Sequence, residues 1–99
     1  MSQQTGRMDL PVGSKLVRST PRFDELTTPA GLRSAHRIAD GVWGRLVVTS
    51  GHLDFVFEEP EPSRRTLGDG DVQIIAPGRH HHVELTGPVG FHIEFHRAG

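Results

Sequence analysis

The sequence predicts an all-β fold, a small antiparallel β-barrel or sandwich, and three observations predict it. No stretch sustains apolar residues three and four apart over the ten or more positions that a helix needs. Seven or eight short apolar or alternating segments are instead separated by clusters of Gly, Pro, Asp and Ser, the spacing of a sandwich or barrel. The third observation is the stretch from Gly70 to Leu85, which reads as a turn, a buried apolar strand, a tight Pro77-Gly78 corner, and a strand opened by histidine.

Taken in order, residues 1–13 are polar, carry Gly6 and Pro11, and show no apolar period, so a flexible N-terminal tail is expected, with a single domain over 14–99. Lys15 to Ser19 suits a short first strand. Thr20-Pro21-Arg22-Phe23-Asp24 and Thr27-Thr28-Pro29-Ala30-Gly31 are turn clusters, because a residue before proline is pushed out of the helical region. From Leu32 strand is expected, with Ser34, His36 and Ile38 on one face, until Gly41 breaks it. Val42 to Thr49 opens the next strand, and Ser50-Gly51 reads as a two-residue hairpin turn. That turn sets Val48 opposite Leu53, Leu46 opposite Phe55 and Gly44 opposite Phe57, all on one buried face. Glu58 to Arg65 is charged and broken by Pro60 and Pro62, so an exposed loop is expected there. Gly68-Asp69-Gly70-Asp71 turns the chain into the strand Val72 to Ala76. Thr86-Gly87-Pro88 turns it again, and Val89 to Arg97 closes it, with Phe91, Ile93 and Phe95 alternating with His92, Glu94 and His96.

Composition bounds the function. A chain of 99 residues allows one core, and at that size roughly 60–65% of the unfolded surface is buried, which favours a homodimer that buries more. A formal charge of -1 gives no footprint for nucleic acid. There is no apolar run of membrane-spanning length and no signal peptide, so no membrane partner and a cytoplasmic location are expected. The absence of cysteine excludes disulfides and thiol catalysis. Serines are present but none stands in a Gly-x-Ser-x-Gly elbow, and neither a phosphate loop nor a dinucleotide fingerprint occurs, so no nucleotide cofactor is expected.

Seven histidines are the outlier in composition. His81 shares parity with Val83 and Leu85 and should enter the interior with them. His36 shares a face with Ile38. Two imidazoles from different strands inside one barrel suit one divalent metal ion: zinc, iron, nickel or manganese. Each also has a plainer reading as a core-edge histidine bonded to backbone. Glu94 is the candidate third ligand, although its parity opposes that of Phe91, Ile93 and Phe95; Asp40 is a weaker one. Trp43 and Arg45 are candidates for the mouth of a ligand pocket, with Arg45 clamping an anion. For Arg45 the alternative is a salt bridge to Asp54 or Glu58; for Trp43 it is a packing role. His80, His82, His92 and His96 have surface parity.

Gly70, then Ala76-Pro77-Gly78 after five residues, then His81, resembles the second half-motif of a cupin barrel. Arg18-Ser19-Thr20-Pro21, Thr28-Pro29-Ala30-Gly31-Leu32, His36, Gly41-Val42-Trp43-Gly44-Arg45-Leu46, Pro77 with His81 and Val83-Glu84, and Phe91-His92-Ile93-Glu94-Phe95 are together similar to the small TehB/YeaR-like cupins. The resemblance covers about Arg18 to Arg97. It implies a cupin-type double-stranded β-helix, a dimer, and a tie to tellurite and related stress resistance. Such domains also precede methyltransferase domains, but no glycine-rich nucleotide-binding unit follows Arg97 here, so S-adenosylmethionine chemistry is not expected. The first cupin motif is eroded, with Gly44 at the place of its glutamate and Asp40 alone able to ligate a metal. Three functional readings follow: a non-catalytic cupin binding a divalent metal or small ligand; a metal-dependent oxygenase or isomerase using His36 and His81; or a structural module whose pocket is filled by its own side chains.

Overall fold

The computed structural model describes residues 9–34, 36–59 and 61–98. In chain order they form β1 (Lys15–Ser19), β2 (Phe23–Asp24), a 3-10 turn (Ala30–Arg33), β3 (Val42–Phe57), β4 (Ser63–Gly68), β5 (Val72–Ile75), β6 (His81–Glu84) and β7 (Val89–Arg97). Every strand pairing is antiparallel. Among these residues no helix is long and apolar enough to cross a membrane. Residues 1–8 of the expected tail lie outside the described residues; just after them a turn closes between Ser14 N–H and the Pro11 carbonyl, 3.0 Å.

The 16-residue β3 builds both layers. Its first half runs between β5 and β7, and its second half between β4 and β6. β1 and β2 extend the first layer along the far edge of β7. Between the layers lies the core, with Leu46, Val48, Leu53 and Phe55 of β3 against Leu67, Ile75, Val83, Phe91 and Ile93, all nearly inaccessible to solvent. This is the all-β architecture that the alternation predicted, of the cupin type that the resemblance implied.

β3 also corrects the hairpin. The chain does not reverse at Ser50-Gly51; it bends and continues. A two-residue hairpin turn requires positive φ at its first central residue, or at both. Ser50 does not have it, since among the described residues only glycines do, and Gly51 has φ +68°. The pairing with β7 instead skips Thr49 between Val48 and Ser50, a bulge. One extra residue switches the inward parity from 44, 46, 48 to 53, 55, 57, so the same side chains are buried as in a hairpin. Their partners differ: Leu46 faces Ile93 and Gln73, and Phe55 faces Arg65 and Val83.

Two more expectations change. The strand from Leu32 shrinks to a single bridge at His36, preceded by the 3-10 turn. The exposed loop ends early, because Arg64 and Arg65 belong to β4, paired with Val56 and Phe55. β1, β5, β6 and β7 fall where the turn signals place them.

Candidate functional site

The local chemistry of the Pro77-Gly78 corner sets the site. Gly78 adopts φ +77°, which lets the chain turn sharply, and its N–H donates to the Ile38 carbonyl, 2.9 Å. That bond docks the segment around Ile38 against the start of β6. Two residues away His36 and His81 exchange both backbone hydrogen bonds, 2.8 and 2.7 Å. Directly opposed residues of an antiparallel pair project to the same face, so the two imidazoles meet. Nδ1 of His36 lies 3.4 Å from Nε2 of His81, with ring centroids 5.2 Å apart and planes at 79°.

The tautomer of His81 follows from its other nitrogen. Nδ1 lies 3.1 Å from the Arg79 carbonyl. A carbonyl only accepts, so Nδ1 carries the proton and Nε2 presents a lone pair to His36. The His81 ring stacks on Phe55 at 5.4 Å, and Phe55 meets Phe57 edge-on at 4.9 Å. Burial in this apolar setting lowers the His81 pKa from 6.5 to about 4; proximity to His36 acts in the same sense, while the Arg79 carbonyl opposes both. His81 is therefore neutral at pH 7. An imidazole with one N–H fixed on a backbone carbonyl and a lone pair on its other nitrogen is oriented as metal-ligating histidines usually are.

Residues 18–93 match the TehB-like domain family. The chain belongs to that family. No curated protein sequence matches it. Among solved structures it is similar to a protein from E. coli (strain K12), at 26% identity and a TM-score of 0.82 over 93% of this chain and 98% of that one. It is also similar to TehB from Haemophilus influenzae, at 19% identity and a TM-score of 0.77, over 86% of this chain and 32% of that one. A cupin-2 domain containing protein from Shewanella frigidimarina shares the fold at 14% identity and a TM-score of 0.55, over 92% of this chain and 86% of that one.

In this TehB-like domain the pair of histidines stands without the proposed third ligand. Glu94 faces the outside of β7, as its parity implied, and its carboxylate takes Arg45 (3.1 Å), His96 (3.2 Å) and His92 (3.4 Å). Burial pushes the Glu94 pKa up, but the bonds from His96, Arg45 and His92 outweigh it and leave it below the ordinary value. Among the described residues no group of three possible ligands is placed to hold a metal ion. Asp40 is exposed, beside Gly78.

Arg45 is likewise corrected. It pairs with Glu94, not Asp54 or Glu58, because β3 and β7 set Arg45 directly opposite Glu94 once the hairpin is removed. Trp43 lies opposite His96 and shares the outward parity of Arg45. Neither lines a cavity of about 310 Å³ that His36 borders. Two further histidines form acid-paired contacts: His80 with Glu59, and His82 between Glu58 (2.6 Å) and Glu84 (2.8 Å). Arg64 ties Glu84 to Asp54 on the same outer face. Arg37 and Arg97 are residues that the sequence reading passed over, and both border the same cavity as His36; Arg97 continues the inward row Phe91, Ile93, Phe95.

Proposed function

We propose that this cupin binds a divalent metal ion or a small polar ligand at the His36–His81 pair, without catalysis of its own. The separation of the two nitrogens carries the reading. Zinc–imidazole bonds of about 2.0–2.1 Å at a tetrahedral angle set two ligand nitrogens roughly 3.3–3.4 Å apart. His36 Nδ1 and His81 Nε2 stand at 3.4 Å. The fixed N–H of His81 and its neutrality at pH 7 support the same reading, since a ligand nitrogen must be unprotonated. A bound ion would act as a Lewis acid toward a small oxygen ligand. Two protein ligands leave the rest of the shell to water or a bound molecule, which supports a labile site, and Glu94 lends nothing to it. The enzymatic reading needs a firmly held ion, and among the described residues no third ligand stands beside the pair. A homodimer and a stress-resistance setting belong to this proposal through the family resemblance.

Metal content of tag-free protein tests it, in the wild type and in His36→Ala and His81→Ala. About one divalent ion per chain, lost in both variants, is the expected outcome. Metal absent from the wild type after incubation with zinc, or retained in both variants, overturns the reading. Two outward histidines control for surface binding: His92→Ala and His96→Ala should leave the content unchanged.

A further inference from the structure

The cavity beside His36 has a chemistry of its own. Its volume is about 310 Å³, at the low end for small-molecule pockets. Its wall is apolar, made by Ile38, Val42 and Phe95, with Val17 at the edge. Its charged lining is entirely cationic: Arg18, Arg37 and Arg97. Strand register explains the convergence. Arg97 lies opposite both Lys15 of β1 and Val42 of β3, at the open end of the inward row of β7. Arg18 lies opposite Phe95, and its guanidinium sits 4.5 Å over that ring. Arg37 comes from the segment docked by the Gly78 turn.

These three cations have no acid among them. Among the described residues no carboxylate lines the cavity and none of the three forms an ion pair, whereas Arg45 and Arg64 both do. The three guanidiniums are exposed, so solvent screens their mutual repulsion, and an anion seated between them would be attracted by all three. Guanidinium forks match a carboxylate in geometry and charge. A bare inorganic anion would leave the Ile38, Val42 and Phe95 wall in contact with water, while a neutral apolar molecule would leave the arginines without a counter-charge.

We propose that this cavity binds a small carboxylate with an apolar body: the charged head between Arg18, Arg37 and Arg97, the hydrocarbon against Ile38, Val42 and Phe95. The inference goes beyond the metal reading and stands without it. The test is calorimetric titration of the full chain, freed of metal by dialysis against EDTA, with hexanoate as the probe. Saturable binding of one hexanoate per chain is expected. Acetate, which lacks the apolar body, and 1-hexanol, which lacks the charge, should each bind at least about tenfold more weakly. Arg18→Gln and Arg97→Gln should each weaken hexanoate about tenfold or more. Val17→Glu, which places an acid at the exposed edge of the cavity, should abolish binding while the unfolding midpoint stays near that of the wild type. Absence of hexanoate binding overturns the proposal; so do equal binding of hexanol, or unchanged affinity in folded Arg18→Gln, Arg97→Gln and Val17→Glu. Because metal is absent throughout, a failure here leaves the metal assay on His36→Ala and His81→Ala untouched, and the reverse also holds.

Discussion

Acidification from pH 7 to pH 5 should destabilise the metal-free domain through His81. The ring is 2% exposed, and its pKa falls from 6.5 to about 4 on folding. Between those values the unfolded chain binds a proton that the folded chain does not, so stability is full above pH 6.5 and is lost as pH falls toward 4. At pH 5 the interval from 6.5 corresponds to about 2 kcal/mol, at 1.36 kcal/mol per pH unit. Groups with other shifts act elsewhere. Glu84, at about 2 through Arg64 and His82, and Asp24, Asp54 and Glu94, all lowered, withdraw stability only below the ordinary carboxylate range. His82, raised by Glu84 and Glu58, has the opposite sign and loses its contribution as pH rises above 6.5. His81→Phe isolates the effect, because phenylalanine keeps the ring against Phe55 and does not titrate. Urea unfolding followed by the fluorescence of Trp43, in EDTA at pH 7 and pH 5, gives the four stabilities. The wild type should lose about 2 kcal/mol more than His81→Phe between the two pH values. Equal losses would refute the burial of a neutral imidazole at this position.

Phe55→Ala should cost about 3–5 kcal/mol in the same assay, since the ring is 1% exposed between Phe57 and His81; a cost under about 1 kcal/mol would contradict its place in the core. Gly51→Ala should cost about 2 kcal/mol or more, because a Cβ there would stand 2.1 Å from the Pro88 carbonyl oxygen at φ +68°. Gly87→Ala, with nothing within 4 Å, should be close to neutral in thermal melts, and similar midpoints for the two variants would argue against the bend in β3. Zinc at about a hundred times its dissociation constant should stabilise the wild type by about 2.7 kcal/mol and His36→Ala by little; equal stabilisation would place the ion elsewhere.

Much of this domain was legible from short-range rules. Alternation in β7 separates Phe91 and Ile93 from His92 and Glu94 in the structure as in the sequence. The parity of His81 with Val83 sent it inward, where both are 2% exposed. Reading Ser50-Gly51 as a reversal failed for a physical reason. A bulge and a hairpin bury the same residues, so the apolar pattern cannot separate them; the φ of Ser50 does, and the rest of the fold sets that angle.

What the sequence determined by itself is therefore the parity of each segment and the position of most turns, because both depend on backbone geometry over a few residues. Only the tertiary structure decided which segments became neighbours. The Arg45–Glu94 pair, the meeting of His36 with His81 across 45 positions, and the three arginines at one cavity all arise from antiparallel registers between distant strands. Those registers are fixed by how the whole core packs, a long-range constraint that no local spacing carries.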